Sequence, residues 1–181
     1  LEAVQESELL SWGLLTTDSP VLRERASGFP KVHGFVRAPE LAGDEVSTEA
    51  VMAEAIDFLL EHNASLDTIV LLQPTSPLRT GRHIDEALTI LEEARADSVV
   101  AVVPSHGFFW RDSVPLYDPA QRPRRQDMGG CYEECGAIYA TSLSAWRKTG
   151  LRFSGDTALY VMKEEHRIQV DTVLDFRLVQ A

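Results

Sequence analysis

The feature that most constrains the fold is a pair of short apolar runs, at residues 68–72 and 98–103, whose apolar side chains occupy consecutive positions. A strand with one face in water alternates apolar and polar residues, whereas a strand covered by helices on both faces is apolar throughout. Both runs have the length and the β-branched content of strands. We therefore expect two central strands in a sheet that lies between two layers of helices.

Strand and helix patterns alternate along the rest of the chain. Further strand patterns occur at residues 12–16, 32–36, 137–140 and 167–170, and apolar residues recur at helical spacing over residues 51–62 and 84–94. Ser47 or Thr48 is suited to begin the first of these helices, and Thr80 the second. This order predicts an α/β fold with three layers, α/β/α, around a mainly parallel sheet. The length of 181 residues suits a single domain over residues 1–181.

Charge and composition exclude several classes of protein. The formal net charge of -11 argues against nucleic-acid binding, which depends on an excess of Lys and Arg. No apolar stretch approaches the roughly 20 residues that a membrane span requires. Cys131 and Cys135 are too few for a disulfide framework or a zinc site, which is typical of a reducing compartment. We therefore expect a cytoplasmic protein that binds neither nucleic acid nor membranes.

The stretch QPTSPLR, residues 73–79, directly follows one of the two central strand patterns. In doubly wound sheets the ligand binds beyond the carboxyl ends of the strands. The two prolines stiffen this stretch, while Gln73, Thr75, Ser76 and Arg79 offer polar groups to a ligand. The structural alternative is a strand-to-helix loop in which Arg79 pairs with a helix carboxylate.

Several stretches together resemble the acylneuraminate cytidylyltransferases, the CMP-sialic acid synthetases. They occur in the family's order and span nearly the whole chain: TTDS (16–19), RAPELAGDEVST (37–48), LLQPTSPLRTGRHIDEAL (71–88), RRQD (124–127), CGAIYA (135–140) and VDTVLDF (170–176). The resemblance implies a Rossmann-like nucleotide-diphospho-sugar transferase fold. It also implies that the anomeric hydroxyl of an acidic sugar attacks the α-phosphate of CTP, with Mg²⁺ as cofactor, giving a CMP-sugar and pyrophosphate.

The resemblance also assigns roles to particular residues. It implies catalytic roles for Asp171, which would also bind the metal, and for Arg125, which would contact a substrate anion. It places Gln73, Tyr139 and Phe153 in the sugar pocket, and Arg37 and Ser47 near the nucleotide. Structural alternatives remain, because Asp171 could cap a helix, Arg125 could lie in a solvated loop, and Tyr139 and Phe153 could fill the core. Gln169 stands where the family has a second aspartate, which predicts weaker metal binding.

Two parts of the family's sequence bear on the functional prediction: its N-terminal part and the segment that matches residues 105–134. The family's first strand and glycine-rich phosphate loop have no counterpart in these residues, so we expect a chain truncated at its N-terminus. Residues 105–134 carry many aromatic side chains and few apolar repeats, and the resemblance implies a dimerisation arm there and a homodimer. Two alternatives stay open: a cytidylyltransferase for another acid (Kdo-like, legionaminic, pseudaminic or a phosphonate), or a noncatalytic homologue that binds nucleotide or sugar.

Overall fold

The computed structural model describes residues 1–62 and 65–180, without the side chain of residue 126. The α-helices in this part of the chain are α1 (Glu2–Glu6), α2 (Pro20–Ala26), α3 (Thr48–Glu61), α4 (Gly81–Glu93), α5 (Leu143–Thr149) and α6 (Val173–Gln180). The strands are β1 (Gly13–Thr17), β2 (Val32–Val36), β3 (Thr68–Leu71), β4 (Ser98–Pro104), β5 (Trp110–Arg111), β6 (Val114–Pro115), β7 (Tyr132–Ser142) and β8 (Thr157–Val161). Single turns of 3₁₀ helix occur at Pro39–Leu41, Pro119–Gln121, Arg125–Asp127 and Glu164–Arg167.

The main sheet has the strand order β3-β7-β4-β8, and β1 and β2 pair as a separate parallel ribbon. Strand β7 is antiparallel to both of its neighbours, and β8 is parallel to β4. Strands β3, β4 and β8 therefore point the same way, and β7 runs against them. The sheet is mainly parallel in direction, as the sequence predicts, and the reversed strand β7 brings its first residues to the carboxyl ends of the others.

The core lies on both faces of this sheet, which explains the consecutive apolar residues. In β4, the side chains of Val99, Ala101 and Val103 pack in the cluster that contains Ile84 of α4. The side chains between them, at positions 100 and 102, belong to a cluster on the other face. Residues of α3 and α5 form a further cluster with alternate residues of β3. The three-layer arrangement follows from this two-sided burial, and truncating the fully buried Ile84 to alanine would cost about 2–5 kcal/mol.

Polar contacts fix where the helices begin. The Oγ of Ser47 accepts a hydrogen bond of 3.2 Å from the amide of Ala50, so Ser47 and not Thr48 caps α3. Helix α4 is capped by Thr80, as predicted. On α4, the carboxylate of Asp85 accepts hydrogen bonds from Ser7 Oγ at 2.5 Å and from the amide of Glu8 at 2.9 Å. Asp85 therefore ties the segment that follows α1 to the main sheet's helix layer.

Two predictions about strands are wrong, and one strand was not predicted. Strand β3 is not central among the described strands, because it pairs with β7 alone and lies at the end of the sheet's order. Residues 167–170 are not a strand: Arg167 ends a 3₁₀ turn, and its side chain bonds to the end of β4. The sequence analysis did not predict β8, an edge strand on which only Tyr160 is buried. Its alternation of Ala158, Tyr160 and Met162 toward the core is the signal that would have identified it.

Residues 105–131 leave the sheet at the end of β4. They contain the short hairpin of β5 and β6 and two of the 3₁₀ turns, and the chain rejoins the sheet at Tyr132. Within this stretch Phe108 packs edge-on against Tyr117, and the guanidinium of Arg122 lies 3.9 Å above the centre of the Phe108 ring. Large side chains on its outer surface are more than half exposed: Phe109, Trp110, Val114 and Leu116. None of the helices in the described residues combines the length and apolar character needed to cross a membrane.

Candidate active site

The QPTSPLR loop is held in place by strand β7. Ser76 Oγ donates a buried hydrogen bond of 3.0 Å to the carbonyl oxygen of Cys135. The guanidinium of Arg79 donates to the carbonyl oxygens of Gln73 at 3.1 Å and Ala137 at 2.7 Å. Burial lowers the pKa of Arg79 to about 10, so the side chain stays charged at neutral pH. Arg79 thus bonds to backbone carbonyls and not to a helix carboxylate, and it holds the loop.

A bulge in β7 lies beneath this loop. The register between β4 and β7 shifts between Val100 and Val102, and Gly136, inside the bulge, has a φ of +67°. A Cβ atom at Gly136 would lie 2.5 Å from Gln73 Oε1, 3.0 Å from Gln169 Oε1 and 3.1 Å from Ser76 Oγ. Bulges next to active sites commonly redirect side chains in this way. Gly136 therefore forms a floor over which two amide groups and a hydroxyl converge.

The segment that carries Asp171 is fastened to the same loop. The amide of Val170 donates a hydrogen bond of 2.7 Å to the carbonyl oxygen of Thr75. Asp171 follows directly and its side chain is exposed. Thr172 caps α6, since its hydroxyl oxygen accepts from the amide of Asp175 at 3.2 Å, and the Asp175 carboxylate accepts in return from the amides of Asp171 at 3.2 Å and Thr172 at 2.8 Å. The capping role considered for Asp171 therefore belongs to Thr172 and Asp175, and the backbone of Asp171 lies next to the loop that carries Gln73.

Tyr139 and Phe153 form a stacked pair at the same end of the sheet. Their ring centres are 6.2 Å apart with an angle of 15° between the planes. Tyr139 pairs with Leu71 of β3, two residues before Gln73, and its hydroxyl donates a hydrogen bond of 2.8 Å to Glu134 Oε2. Burial, followed by this hydrogen bond, raises the pKa of Tyr139. The phenol therefore stays neutral and acts as a hydrogen-bond donor.

A cavity of about 320 Å³ opens beside this pair. Its lining is mostly apolar, with one carboxylate and two hydroxyls: Val100, Val102, Tyr132, Glu134, Phe153, Thr157 and Leu159. Ligand sites commonly combine an apolar wall with a few polar groups that fix orientation. The cavity suits an apolar substituent of a polar ligand.

The two residues expected near the nucleotide lie at opposite ends of the loop between β2 and α3. Arg37 follows β2, and its Nη2 donates to the carbonyl oxygen of Thr16 at 2.9 Å. Its Nε is buried and has no hydrogen-bond partner among the described residues. Ser47 is exposed at the start of α3, where its hydroxyl is occupied as the cap. Arg37 therefore lies at the carboxyl end of the β1–β2 ribbon, and no direct contact joins it to Ser47 among the described side chains.

Arg125 has no described contact with any of the other predicted site residues, and neither Arg37 nor Ser47 contacts Gln73, Tyr139 or Phe153 among the described side chains. It begins an exposed 3₁₀ turn in the 105–131 stretch. Its guanidinium makes no hydrogen bond or ion pair with another described residue. Of the neighbouring arginines, Arg122 is engaged with aromatic rings of its own stretch. Arg125 is thus an exposed residue whose guanidinium has no partner among the described residues.

The sequence analysis missed an ion pair beside Tyr139. Arg152 donates from Nε and Nη2 to the two carboxylate oxygens of Glu49, at 2.6 Å and 3.0 Å. The Arg152 guanidinium also lies 5.4 Å from the centre of the Tyr139 ring. No sequence signal joins two residues that are 103 positions apart, so only the fold reveals this pair.

Possible metal ligands are sparse in the part of the chain that the structure describes. It holds no group of three or more His, Cys, Asp or Glu side chains arranged around a common point. Asp171 offers one exposed carboxylate, and the Gln169 amide oxygen lies close to that of Gln73 over Gly136. A single carboxylate fits a hard cation such as Mg²⁺, which keeps several waters and takes substrate phosphates as further ligands.

The chain has the Rossmann-like fold of two solved nucleotidyltransferases. A solved CMP:2-keto-3-deoxy-manno-octonic acid synthetase complexed with CTP superposes with a TM-score of 0.67 at 13% identity, covering 99% of this chain and 83% of that one. A 4-diphosphocytidyl-2C-methyl-D-erythritol synthase from Anaerococcus prevotii superposes with a TM-score of 0.64 at 12% identity, with the same coverage. The expected nucleotide-diphospho-sugar transferase fold is therefore confirmed.

Comparison with protein sequences finds relatives at higher identity than these two solved structures. The chain is 30% identical to N-acylneuraminate cytidylyltransferase B of Danio rerio, over 99% of this chain and 43% of that protein. It is 31% identical to the N-acylneuraminate cytidylyltransferase of Streptococcus agalactiae serotype III, over 90% of this chain and 40% of that protein. No family model matches. The resemblance indicated by the motifs is confirmed over nearly the whole chain, which spans less than half the length of these relatives.

A shorter relative is covered more fully. The chain is 24% identical to the post-translational flagellin modification protein B of Campylobacter coli, over 97% of this chain and 78% of that protein.

Proposed function

We propose that the protein transfers CMP from CTP to the anomeric hydroxyl of a sialic-acid-like sugar and releases pyrophosphate. The observation that carries this proposal is the hydrogen bond between Val170 and Thr75, which holds Asp171 beside the loop that bears Gln73. Two groups suited to phosphate chemistry and sugar recognition thus share one edge of a nucleotidyltransferase sheet. The similarity to N-acylneuraminate cytidylyltransferases gives the direction of the chemistry.

The sugar would lie over Gly136 and against the stacked rings. The Gln73 amide can donate to or accept from sugar hydroxyls and an acyl group, and the Phe153 and Tyr139 faces can pack on the apolar side of the ring. The Tyr139 hydroxyl, held by Glu134, keeps its ring fixed. These side chains would orient the anomeric hydroxyl toward the α-phosphate, and such positioning lowers the barrier without a covalent step on the protein.

The nucleotide would approach from the β1–β2 side. Arg37, at the carboxyl end of β2, carries a buried Nε that has no partner among the described residues, and Ser47 lies at the N-terminus of a helix, where anions are favoured. Asp171, with substrate phosphate oxygens, would hold Mg²⁺, which supplies electrostatic stabilisation of the charge that builds on the leaving pyrophosphate. Gln169 presents a neutral oxygen where a second carboxylate would bind the cation more tightly.

A homodimer is the second part of the proposal. The hairpin of β5 and β6 exposes apolar side chains, among them Trp110 at 59% and Val114 at 60% exposure. A patch of this kind commonly marks a protein-protein interface. Arg125 lies in the same stretch, and its guanidinium has no partner among the described residues, so docking of the arm on a second copy would carry Arg125 to that copy's site.

The free thiols of Cys131 and Cys135 suit a reducing compartment, and we place the protein in the cytoplasm.

A related substrate is the second candidate. The flagellin modification protein B of Campylobacter coli is matched over 78% of its length, and the solved structure with CTP is a synthetase for a Kdo sugar. The lining of the 320 Å³ cavity, with its aliphatic wall and single carboxylate, favours a sugar with an apolar substituent over one that bears only hydroxyls. A legionaminic- or pseudaminic-type acid fits this lining as well as a sialic acid does.

The test is pyrophosphate release by the full-length protein with Mg²⁺. CTP and UTP would each be offered with a panel containing sialic, legionaminic, pseudaminic and Kdo-type acids and a phosphonate. The proposal predicts release that requires CTP and one of the nonulosonic acids. Release with the Kdo-type acid or the phosphonate alone would support the sister activity. Binding of nucleotide with no release for any acid would support a noncatalytic homologue and contradict the proposal.

A further inference from the structure

The ion pair between Arg152 and Glu49 joins two regions of the fold that no strand or helix connects. Glu49 lies in the first turn of α3, and Arg152 lies in the turn between α5 and β8. Both oxygens of the carboxylate are bonded to the guanidinium, at 2.6 Å and 3.0 Å. The side chains are largely covered, with 23% exposure for Arg152 and 26% for Glu49. Two-point contacts of this kind fix direction as well as distance.

The pair is placed where it controls the aromatic side chains of the site. Arg152 immediately precedes Phe153 in the chain, and its guanidinium lies 5.4 Å from the centre of the Tyr139 ring. The Phe153 ring stacks with the same Tyr139 ring, with 6.2 Å between the ring centres. A guanidinium held over an aromatic face is attracted to it electrostatically. Arg152 and Phe153, adjacent in the chain, therefore both lie against the Tyr139 ring.

The Arg152 guanidinium has one carboxylate anchor among the described residues. The hydrogen bond from Arg152 holds the pKa of Glu49 below its usual value, so Glu49 is charged throughout the physiological range. The anchor is also close to the start of α3, because Ser47, two positions earlier, caps that helix. The ion pair thus ties the turn beside the sugar pocket to the helix end expected near the nucleotide.

We propose that Arg152 is a positioning residue for sugar binding and that Glu49 is its anchor. This inference rests on the proposed function and assigns a role to two side chains that the chemistry itself does not use. Arg152 holds Phe153 against Tyr139 at the spacing that the sugar requires, and Glu49 sets the direction of Arg152. Loss of either partner releases the aromatic pair and weakens binding of the acidic sugar while CTP binding is little changed.

The test compares Arg152→Gln, Glu49→Gln and the double variant in the full-length protein, with KM for the sugar, KM for CTP, kcat and thermal unfolding measured for each. Each single variant is expected to raise KM for the sugar roughly tenfold, equivalent to about 1.4 kcal/mol. KM for CTP and kcat should change by less than about threefold, a shift below 1 kcal/mol. The double variant should resemble either single variant, because both remove the same interaction.

Two further variants separate positioning from stability. Arg152→Lys keeps the charge but cannot form two parallel hydrogen bonds, so it should fall between wild type and Arg152→Gln. Arg82→Gln removes an exposed ion pair with Glu86 on α4 and should leave KM for the sugar unchanged. A lowered unfolding temperature with an unchanged KM for the sugar, or additive effects in the double variant, would overturn the inference alone. An inactive wild type would overturn the proposed function and this inference together.

Discussion

The backbone amide of Val170 donates a hydrogen bond of 2.7 Å to the carbonyl oxygen of Thr75. This bond joins two segments that are far apart in sequence, the loop after β3 and the residues before α6. It places Asp171 at the rim of a polar surface formed by Gln73, Ser76 and Gln169 over Gly136. The account of function depends on this convergence, because neither segment offers enough groups to bind two substrates by itself.

Replacement of Gly136 by alanine should displace Gln73. The new Cβ would lie 2.5 Å from Gln73 Oε1, so the amide must move, and the φ of +67° is unfavourable for alanine. We expect a loss of about 1–2 kcal/mol in the free energy of unfolding from backbone strain. We also expect about a tenfold rise in KM for the sugar from the displaced amide, equivalent to 1.4 kcal/mol. Urea unfolding and steady-state kinetics measure the two effects.

Gly130→Ala is the matched control for this variant. Gly130 also has a positive φ, +77°, but no described residue other than its chain neighbours lies within 4 Å of the Cβ that alanine would add. Gly130→Ala should lower the free energy of unfolding through backbone strain, but it should leave KM for the sugar unchanged. Equal KM values for the two variants would contradict the role given to the Gly136 floor.

For strands β3 and β4, the sequence predicts burial on both faces but does not predict the order of the strands in the sheet. Consecutive apolar residues predict strands buried on both faces, and Val99 and Val100 do pack into clusters on opposite faces. The central position predicted for β3 is wrong, because burial patterns reveal covered faces and not hydrogen-bonding neighbours. Resemblance brought Tyr139 and Phe153 to attention, and the fold stacks them. The roles of these residues remain predictions.

Other parts of the site could not be predicted from local pattern. The bulge at Gly136 depends on the pairing of β7 with β4, which no short stretch encodes. The ion pair of Arg152 and Glu49 depends on the packing of a turn against a distant helix. Residues 167–170 contain β-branched and apolar residues, which is typical of a strand. They do not pair as one, because the Arg167 side chain bonds to the carbonyl oxygen of Pro104 at the end of β4 and pairs with Glu133 at 3.5 Å.

Removal of the Asp85 carboxylate should loosen the segment after α1. Partial burial favours a raised pKa for Asp85, but the hydrogen bonds from Ser7 and from the amides of Glu8 and Leu9 outweigh it and lower the pKa below the ordinary value of 3.8. Because the pKa is lowered on folding, the carboxylate stabilises the protein above about pH 4, and this contribution is lost as the pH falls through the lowered value. Asp85→Ala should cost about 1–3 kcal/mol at pH 7.

The measurement for Asp85 is urea unfolding of wild type and variant from pH 7 down to pH 2. The difference between them should shrink below about pH 4. Glu92→Ala, an exposed change on the same helix, controls for helix propensity and should show a small difference that does not follow this pH course. A difference for Asp85→Ala that stays constant to the lowest pH would contradict the assigned hydrogen bonds.

Replacement of Trp110 by glutamate should separate the proposed dimer. Trp110 is 59% exposed on the β5–β6 hairpin, and a buried charge at an interface is strongly unfavourable. Analytical ultracentrifugation should show half the mass of the wild type. Val21→Glu, at a position 73% exposed on α2, should leave the mass unchanged. A wild type that sediments as a monomer at micromolar concentration would contradict the dimer.

Replacement of Asp171 by asparagine should weaken Mg²⁺ binding in the presence of CTP. A neutral amide oxygen is a poorer ligand for this hard cation than a carboxylate. We expect the Mg²⁺ concentration for half-maximal binding, measured by calorimetry, to rise roughly tenfold or more, equivalent to at least 1.4 kcal/mol. Asp57→Asn, an exposed change on α3, should have no effect. Gln169→Asp should shift binding in the opposite direction, and unchanged binding in both site variants would place the metal elsewhere.

The proposed reaction is tested most directly by ³¹P NMR of the full-length protein with CTP, Mg²⁺ and the preferred acidic sugar. The account predicts that the α-phosphorus of CTP becomes a phosphodiester of CMP and the sugar, while the β- and γ-phosphorus atoms appear as an equal amount of pyrophosphate. Unchanged CTP with every acid tested, or CMP and pyrophosphate without the phosphodiester, would contradict it.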